Sequence, residues 1–209
     1  MKRLVIKVGT AVLTQDGQLA IERMENLVDL IAKLKNEKKL EVILVSSGAV
    51  GAGYTTLKLD KKIIANKQAL AAIGQPLLLK HYKKRFKEHN ISCAQMLFIA
   101  DDFDSRKRTK NAQDVMEILL ENKILPIINE NDVIANYELL FGDNDQLAAH
   151  VAFHFKADML AILSDIDGYY NKNPREFDDA VLQKEVSFID PSELQMTHTA
   201  NSEFATGGI

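Results

Sequence analysis

Cysteine is nearly absent: Cys93 stands alone in 209 residues. One thiol cannot close an intramolecular disulfide, which fits a reducing compartment and points to the cytoplasm. Its setting, Ile91-Ser92-Cys93-Ala94, reads as a buried strand, so the thiol is a structural group rather than a nucleophile. No apolar stretch is long enough to span a membrane. Residues 1–8 are too short for a signal peptide and carry Lys7 inside their apolar run. A long block of one charge is missing too, and the formal net charge is only -3. The short basic cluster Arg106-Lys107-Arg108 reads as a solvated helix face, so nucleic acid is not expected as a partner. There is no Gly/Ser linker, composition shift or internal repeat. One domain with its own core accounts for the chain.

What is present is an ordinary globular composition, 46% hydrophobic and 26% charged. Strand and helix patterns alternate along it. Residues 4–8, 42–45, 91–99, 125–128 and 159–163 read as five apolar strands. Between them, Ile21, Met24, Leu27, Val28, Ile31 and Leu34 recur at helical spacing. Val115, Ile118 and Leu119 mark another helix, and residues 143–155 a further one. Pro76 marks a helix break or a new first turn. Near-continuous apolar strands separated by helices predict an α/β fold whose mainly parallel sheet is covered on both faces.

Chemistry-bearing residues gather at the ends of these strands, where open α/β folds hold their ligands. Lys7-Val8-Gly9-Thr10 ends the first strand. It reads either as an edge lysine before a plain turn or as an ammonium set beside a phosphate-binding glycine turn. Ser46-Ser47-Gly48-Ala49-Val50-Gly51-Ala52-Gly53 follows the second strand. It is neither a Walker A loop nor a dinucleotide fingerprint. It reads equally as an anion site of helix N-terminal amides and as a tight turn with close helix packing. Asn129-Glu130-Asn131-Asp132 follows the fourth strand, and Gly142-Asp143-Asn144-Asp145 comes soon after. Residues 133–141 between them are expected to form a small hairpin over the site. Ser164-Asp165-Ile166-Asp167-Gly168 follows the fifth strand. A calcium loop would end in a glutamate that is missing here, which leaves a polar turn. His150 and His154 lie four apart, but with no third ligand they read as core or surface histidines. Asp101, Asp102 and Asp104 read as helix-capping residues. The chain closes on Thr206-Gly207-Gly208-Ile209, a further candidate phosphate loop.

In sequence order, Lys-Val-Gly-Thr at 7–10, Ser-Ser-Gly-Ala at 46–49, Lys67-Gln68, Ala71-Ala72-Ile73-Gly74-Gln75, Gln95-Met96-Leu97 and the two Asn/Asp clusters form one pattern. It resembles the amino-acid kinase superfamily, and within it the glutamate 5-kinases. The resemblance covers nearly the whole chain and implies a three-layer αβα sandwich. It implies ATP-dependent phosphorylation of the side-chain carboxylate of L-glutamate to γ-glutamyl phosphate, the first intermediate of proline synthesis. It also implies magnesium with the ATP, feedback inhibition by proline, and a homo-oligomer.

Residue by residue, Lys7 matches the lysine that stabilises the transferring phosphoryl group, and Asp145 the aspartate that organises the lysines. Ser47, Asp132 and Asn144 match the glutamate-binding positions. Gly9 and Gly48 match phosphate-binding turns, Ser164 and Asp165 the nucleotide-binding pair, and Thr206, Gly207 and Gly208 a nucleotide loop. The chemistry agrees: a carboxylate nucleophile is already ionised at neutral pH. It needs positioning and charge neutralisation rather than a general base.

The pattern departs from the family at its end. Ala205 stands where the family has a glycine and Ile209 where it has a methionine, before the position of a second catalytic lysine. The expectation is therefore an amino-acid kinase domain over 1–209 that continues past Ile209, with no RNA-modification-type domain in view. Two other readings stay open: a relative acting on a carbamate, phosphate-monoester or nucleotide acceptor, and a non-catalytic amino-acid-binding module.

Overall fold

A computed structural model describes residues 2–15, 18–135 and 144–187. Strand β1 (Arg3–Val8) leads through the short helix α1 (Thr10–Leu13) and the small ladder β2 (Thr14–Gln15) and β3 (Gln18–Leu19) into α2 (Ile21–Asn36). Then come β4 (Glu41–Val45), α3 (Ala49–Tyr54), α4 (Ile64–Glu88) and β5 (Cys93–Phe98). The chain continues through α5 (Ala100–Asp104), α6 (Arg106–Glu121), β6 (Leu125–Glu130), α7 (Asn144–His154) and β7 (Met159–Leu163). A last ladder joins β8 (Tyr169–Tyr170) to β9 (Leu182–Gln183).

The central sheet has the order β5-β6-β4-β1-β7, with parallel neighbours throughout. Successive strand residues point to opposite faces, and this parity sorts the core. Leu4, Ile6, Val8, Val42, Leu44 and Ile127 pack with Met24, Ile31, Leu78, Tyr82 and Phe86 of α2 and α4. Val5, Ile43, Val45 and Ile128 pack with Met116 and Leu120 of α6 and Leu147 and Val151 of α7. The parallel sheet covered on both faces expected from the alternation is thus present, as the αβα sandwich that the resemblance implies. Lys7 has the parity of Val5 and so belongs to the α7 face.

Some elements depart from expectation. Pro76 does not break a helix: α4 runs through it from Ile64 to Glu88. Buried residues on both sides of it, from Leu70 to Gln75 and from Leu78 to Phe86, hold the helix together. That packing outweighs a proline cost of about 3 kcal/mol. On α6, Val115 and Ile118 are exposed, Ile118 by 59%, and Thr109, Met116 and Leu120 are buried instead. Among the described residues β7 lies at a sheet edge, with Met159 and Ile162 exposed. β6 does not stop at Ile128 but carries Asn129 and Glu130 inside the strand.

Glycines set the α3–α4 contact. A Cβ on Gly74 would lie 1.8 Å from the Ala49 carbonyl oxygen, and one on Gly53 would lie 1.9 Å from that of Leu70. The small residues after β4 therefore serve close helix packing at Gly53. Gly48 acts through its backbone instead, and its φ of +95° makes the left-handed entry to α3. Among the described residues, no helix is long and apolar enough to cross a membrane.

Candidate active site

Because the five strands run parallel, their carboxyl ends share one edge of the sheet. Lys7 stands near the end of β1 and is only 2% exposed. Its Nζ lies 2.6 Å from Oδ1 of Asp145, in the first turn of α7. That oxygen is closed off from solvent and meets Nζ as a close ion pair rather than an aligned hydrogen bond. Gly9 sits beside the pair: a Cβ there would lie 3.6 Å from Nζ, and its N–H donates to the Leu163 carbonyl at 3.0 Å. The loop after β1 is thus fastened to the end of β7.

Asn144 opens α7 and is buried. Its Nδ2 lies 2.6 Å from the Ser46 carbonyl oxygen, 3.0 Å from Ser47 Oγ and 2.7 Å from Asn129 Oδ1. The Asn129 Oδ1 also accepts the Glu130 N–H at 2.9 Å, and Asn129 Nδ2 donates to Gln75 Oε1 at 2.7 Å. On the other side, Ser46 Oγ lies 3.0 Å from the Tyr82 hydroxyl and 3.2 Å from the Ser47 carbonyl oxygen. Burial raises the Tyr82 phenol well above its ordinary range, so it stays protonated and can donate.

Asp132 follows β6 at the rim of a groove of about 570 Å³, which Gln75, Leu79, Leu97 and Glu130 help to line. Burial pushes its carboxyl up to about 6, against the opposing effects of a backbone N–H and Lys67. Ser164 and Asp165 follow β7 and are exposed, with Ser164 Oγ donating to Asp165 at 3.2 Å. Arg175 donates to Asp165 at 2.8 Å and holds that carboxyl below the usual carboxylate range.

The structure therefore brings Lys7, Gly9, Ser47, Gly48, Asn144 and Asp145 together, with Asp132, Ser164 and Asp165 along the same edge. Thr206, Gly207, Gly208, Gly142, Asp143 and residues 136–141 of the expected hairpin lie outside the described residues. Among the described residues, no group of three or more His, Cys, Asp and Glu side chains could hold a metal. His150 and His154 stack on each other and on Phe103, with His centroids 5.9 Å apart. Asp167 accepts the Tyr170 hydroxyl at 2.6 Å, as befits a polar turn. Cys93 is half-buried, and burial pushes its thiol up to about 12, which keeps it inert at neutral pH.

Sequence reasoning assigned no role to Gln75 or Tyr82. The available signal was position: Gln75 sits among Leu70, Ala71, Gly74, Leu78, Tyr82 and Phe86 on the buried stripe of α4. A polar amide on such a stripe needs a partner.

The arrangement gives a buried cation, a carboxylate that fixes it, a glycine turn and a set of oriented amides. These stabilise and position negative charge rather than move protons. Comparison with known proteins agrees. The model of the amino acid kinase family matches residues 2–209. Glutamate 5-kinase of Wolinella succinogenes is 56% identical over all of this chain and 81% of its own length. That of Leishmania donovani is 53% identical over all of this chain and 79% of its own. Among solved structures, an isopentenyl phosphate kinase superposes with a TM-score of 0.60 at 16% identity, covering 86% of this chain and 78% of its own. UMP kinase from Ureaplasma parvum gives 0.58 at 17% identity, over 87% and 74%. These two share the fold. With its family pattern matched almost end to end and its relatives alike over their full alignment, the chain belongs to the amino acid kinase family, among the glutamate 5-kinases.

Proposed function

We propose that the protein transfers the γ-phosphoryl group of magnesium-bound ATP to the side-chain carboxylate of L-glutamate. A carboxylate oxygen attacks the γ-phosphorus, the bond to the β–γ bridging oxygen breaks, and ADP leaves with those electrons. The products are γ-glutamyl phosphate and ADP. The observation that carries this reading is the sealed Lys7–Asp145 pair beside the Asn144–Ser47 contact.

Lys7 neutralises charge on the transferring group, and Asp145 keeps its ammonium aimed. Backbone N–H groups at Gly9 and Gly48 receive phosphate oxygens. Asp132 takes the α-ammonium of glutamate, Ser47 donates to a carboxylate, and Asn144, whose NH₂ is committed to protein acceptors, offers its Oδ1 to the ammonium. Ser164 and Asp165 face the nucleotide, with Thr206, Gly207 and Gly208 completing its loop. Magnesium belongs to the substrate: it arrives on the ATP phosphates and needs few protein ligands of its own. Proline acts as an inhibitor in this reading, and the protein works as a cytoplasmic homo-oligomer.

The test is an assay with ATP, glutamate and hydroxylamine. A hydroxamate formed with glutamate supports the reading. ADP release with a carbamate, phosphate monoester or nucleotide, and no hydroxamate, would replace the acceptor.

A further inference from the structure

Three side-chain amides, of Gln75, Asn129 and Asn144, link helix α4 to the site, and their polarity can be worked out. The Ser46 carbonyl oxygen can only accept, so the Asn144 atom 2.6 Å from it must be the NH₂ group. The same NH₂ lies 2.7 Å from Asn129, which must therefore present its oxygen. The Glu130 N–H, at 2.9 Å, imposes the same orientation on Asn129 independently. Asn129 is then left with its own NH₂ pointing at Gln75, whose Oε1 accepts it at 2.7 Å. Asn129 and Asn144 are buried, and so is Gln75 at 9% exposure. Asn129 itself is only 3% exposed, so an unpaired amide there is costly.

The consequence lies in how tightly Asn144 is held. Its two amide hydrogens are shared among three acceptors, two on the Ser46–Ser47 turn and one on Asn129. Removing the Gln75 acceptor strands a buried NH₂ on Asn129. Asn129 can relieve this only by turning its amide, which would bring its NH₂ against that of Asn144. The relay then loses its polarity at the substrate-binding end. Gln75 is well placed to prevent this. Gly74 beside it lets α4 come within van der Waals range of Ala49, which seats Gln75 against β6. Two helical turns further on, Tyr82 meets Ser46 from the same face of α4.

We infer that Gln75 is a positioning residue for the reaction: through Asn129 it fixes the amide of Asn144 and so sets affinity for the amino-acid substrate. This rests on the glutamate reading of the site. The test compares wild type with Gln75→Met, which keeps length but removes the acceptor, and with Gln75→Asn, which keeps polarity but withdraws the acceptor by one methylene. Gln75→Asn decides the matter if Gln75→Met does not fold. Glutamate affinity is read by calorimetry and KM, alongside KM for ATP, kcat and melting temperature.

The expected result is a glutamate KM about tenfold higher, with KM for ATP and kcat within about twofold. A double-mutant cycle with Asn144→Ala should show that the Gln75 effect largely vanishes once Asn144 is gone. Fully multiplicative effects, an equal rise in KM for ATP, or an unchanged glutamate KM in a folded variant would each overturn the inference. Wild-type protein that binds no glutamate overturns the functional reading and this inference together. Wild-type protein that binds it no better than the variants overturns this inference alone.

Discussion

Burial holds the Asp132 carboxyl near 6, against 3.8 for a free side chain. A raised acid pKa means that the folded protein prefers the protonated form. The favourable contribution is complete below about 3.8 and lost as pH rises through 6. At pH 7.5 an ionised Asp132 therefore weakens the fold. Asp132→Asn should raise the melting temperature there by about 2–6 °C, and this gain should fade below about pH 4. The same variant should raise the glutamate KM, because the α-ammonium loses its carboxylate. In the wild type, glutamate KM should be about fourfold higher at pH 5.5 than at 7.5, while KM for ATP stays level. Flat glutamate KM values over that range would detach Asp132 from the ammonium.

Lys7 invites the opposite comparison. From sequence, Lys7→Ala should lower turnover by orders of magnitude and leave folding almost untouched. The structure supports a large kinetic effect, on the order of 10²-fold or more, but it changes the folding half of that expectation. Without Lys7, Asp145 keeps an oxygen shut away from solvent with its cation removed. A loss of about 1–3 kcal/mol should follow, visible in chemical denaturation. Lys7 could be picked out in the sequence because a charge interrupts an apolar strand. Its partner Asp145 lies on another element far along the chain, so no local pattern joins the two; the family resemblance named it, and the structure sets it 2.6 Å away.

Among the elements, α4 carries the heaviest geometric demand. Gly74→Ala would push a methyl group into the Ala49 carbonyl, which backbone cannot yield cheaply. It should cost about 2–3 kcal/mol and raise the glutamate KM as Gln75 is displaced. Gly168→Ala is the control. Its new Cβ would meet only the tip of the Leu182 side chain, which can swing aside. Its melting temperature should stay within about 2 °C of wild type.

Strand positions were legible because near-continuous apolar runs leave little ambiguity, as at Val42–Val45 and Ile127–Ile128. The path of α4 through Pro76 was not, because tertiary packing on both sides overrides the local signal. Nor was the buried face of α6, where Val115 and Ile118 mimic a core stripe yet face outward. The candidate site was half legible. Its strand-end residues, Asn129 among them, stand out in sequence, but Gln75 on α4 shows only as a polar residue on a buried helical stripe.

For the molecule as a whole, the site joins β1, β4, β6, β7 and α7, so ligands should stabilise it globally. Glutamate at about 100 times its Kd should add about 2.7 kcal/mol and raise the melting temperature by roughly 5–10 °C. Magnesium-bound ATP should do the same independently. A shift with glutamate or proline but none with ATP would favour an amino-acid-binding module over an enzyme.

The place of β1 bears on when that whole can come into being. Strand β1 lies between β4 and β7, and its Arg3 N–H reaches Asp158 across 155 positions of chain. During synthesis the first strand leaves the ribosome early and must wait, one flank bare, until β7 follows. Only then does Gly9 find Leu163 and the loop beside Lys7 close. Vectorial synthesis thus delays the closing of the Lys7 corner until β7 has emerged, and a nascent chain stalled before β7 would lack it.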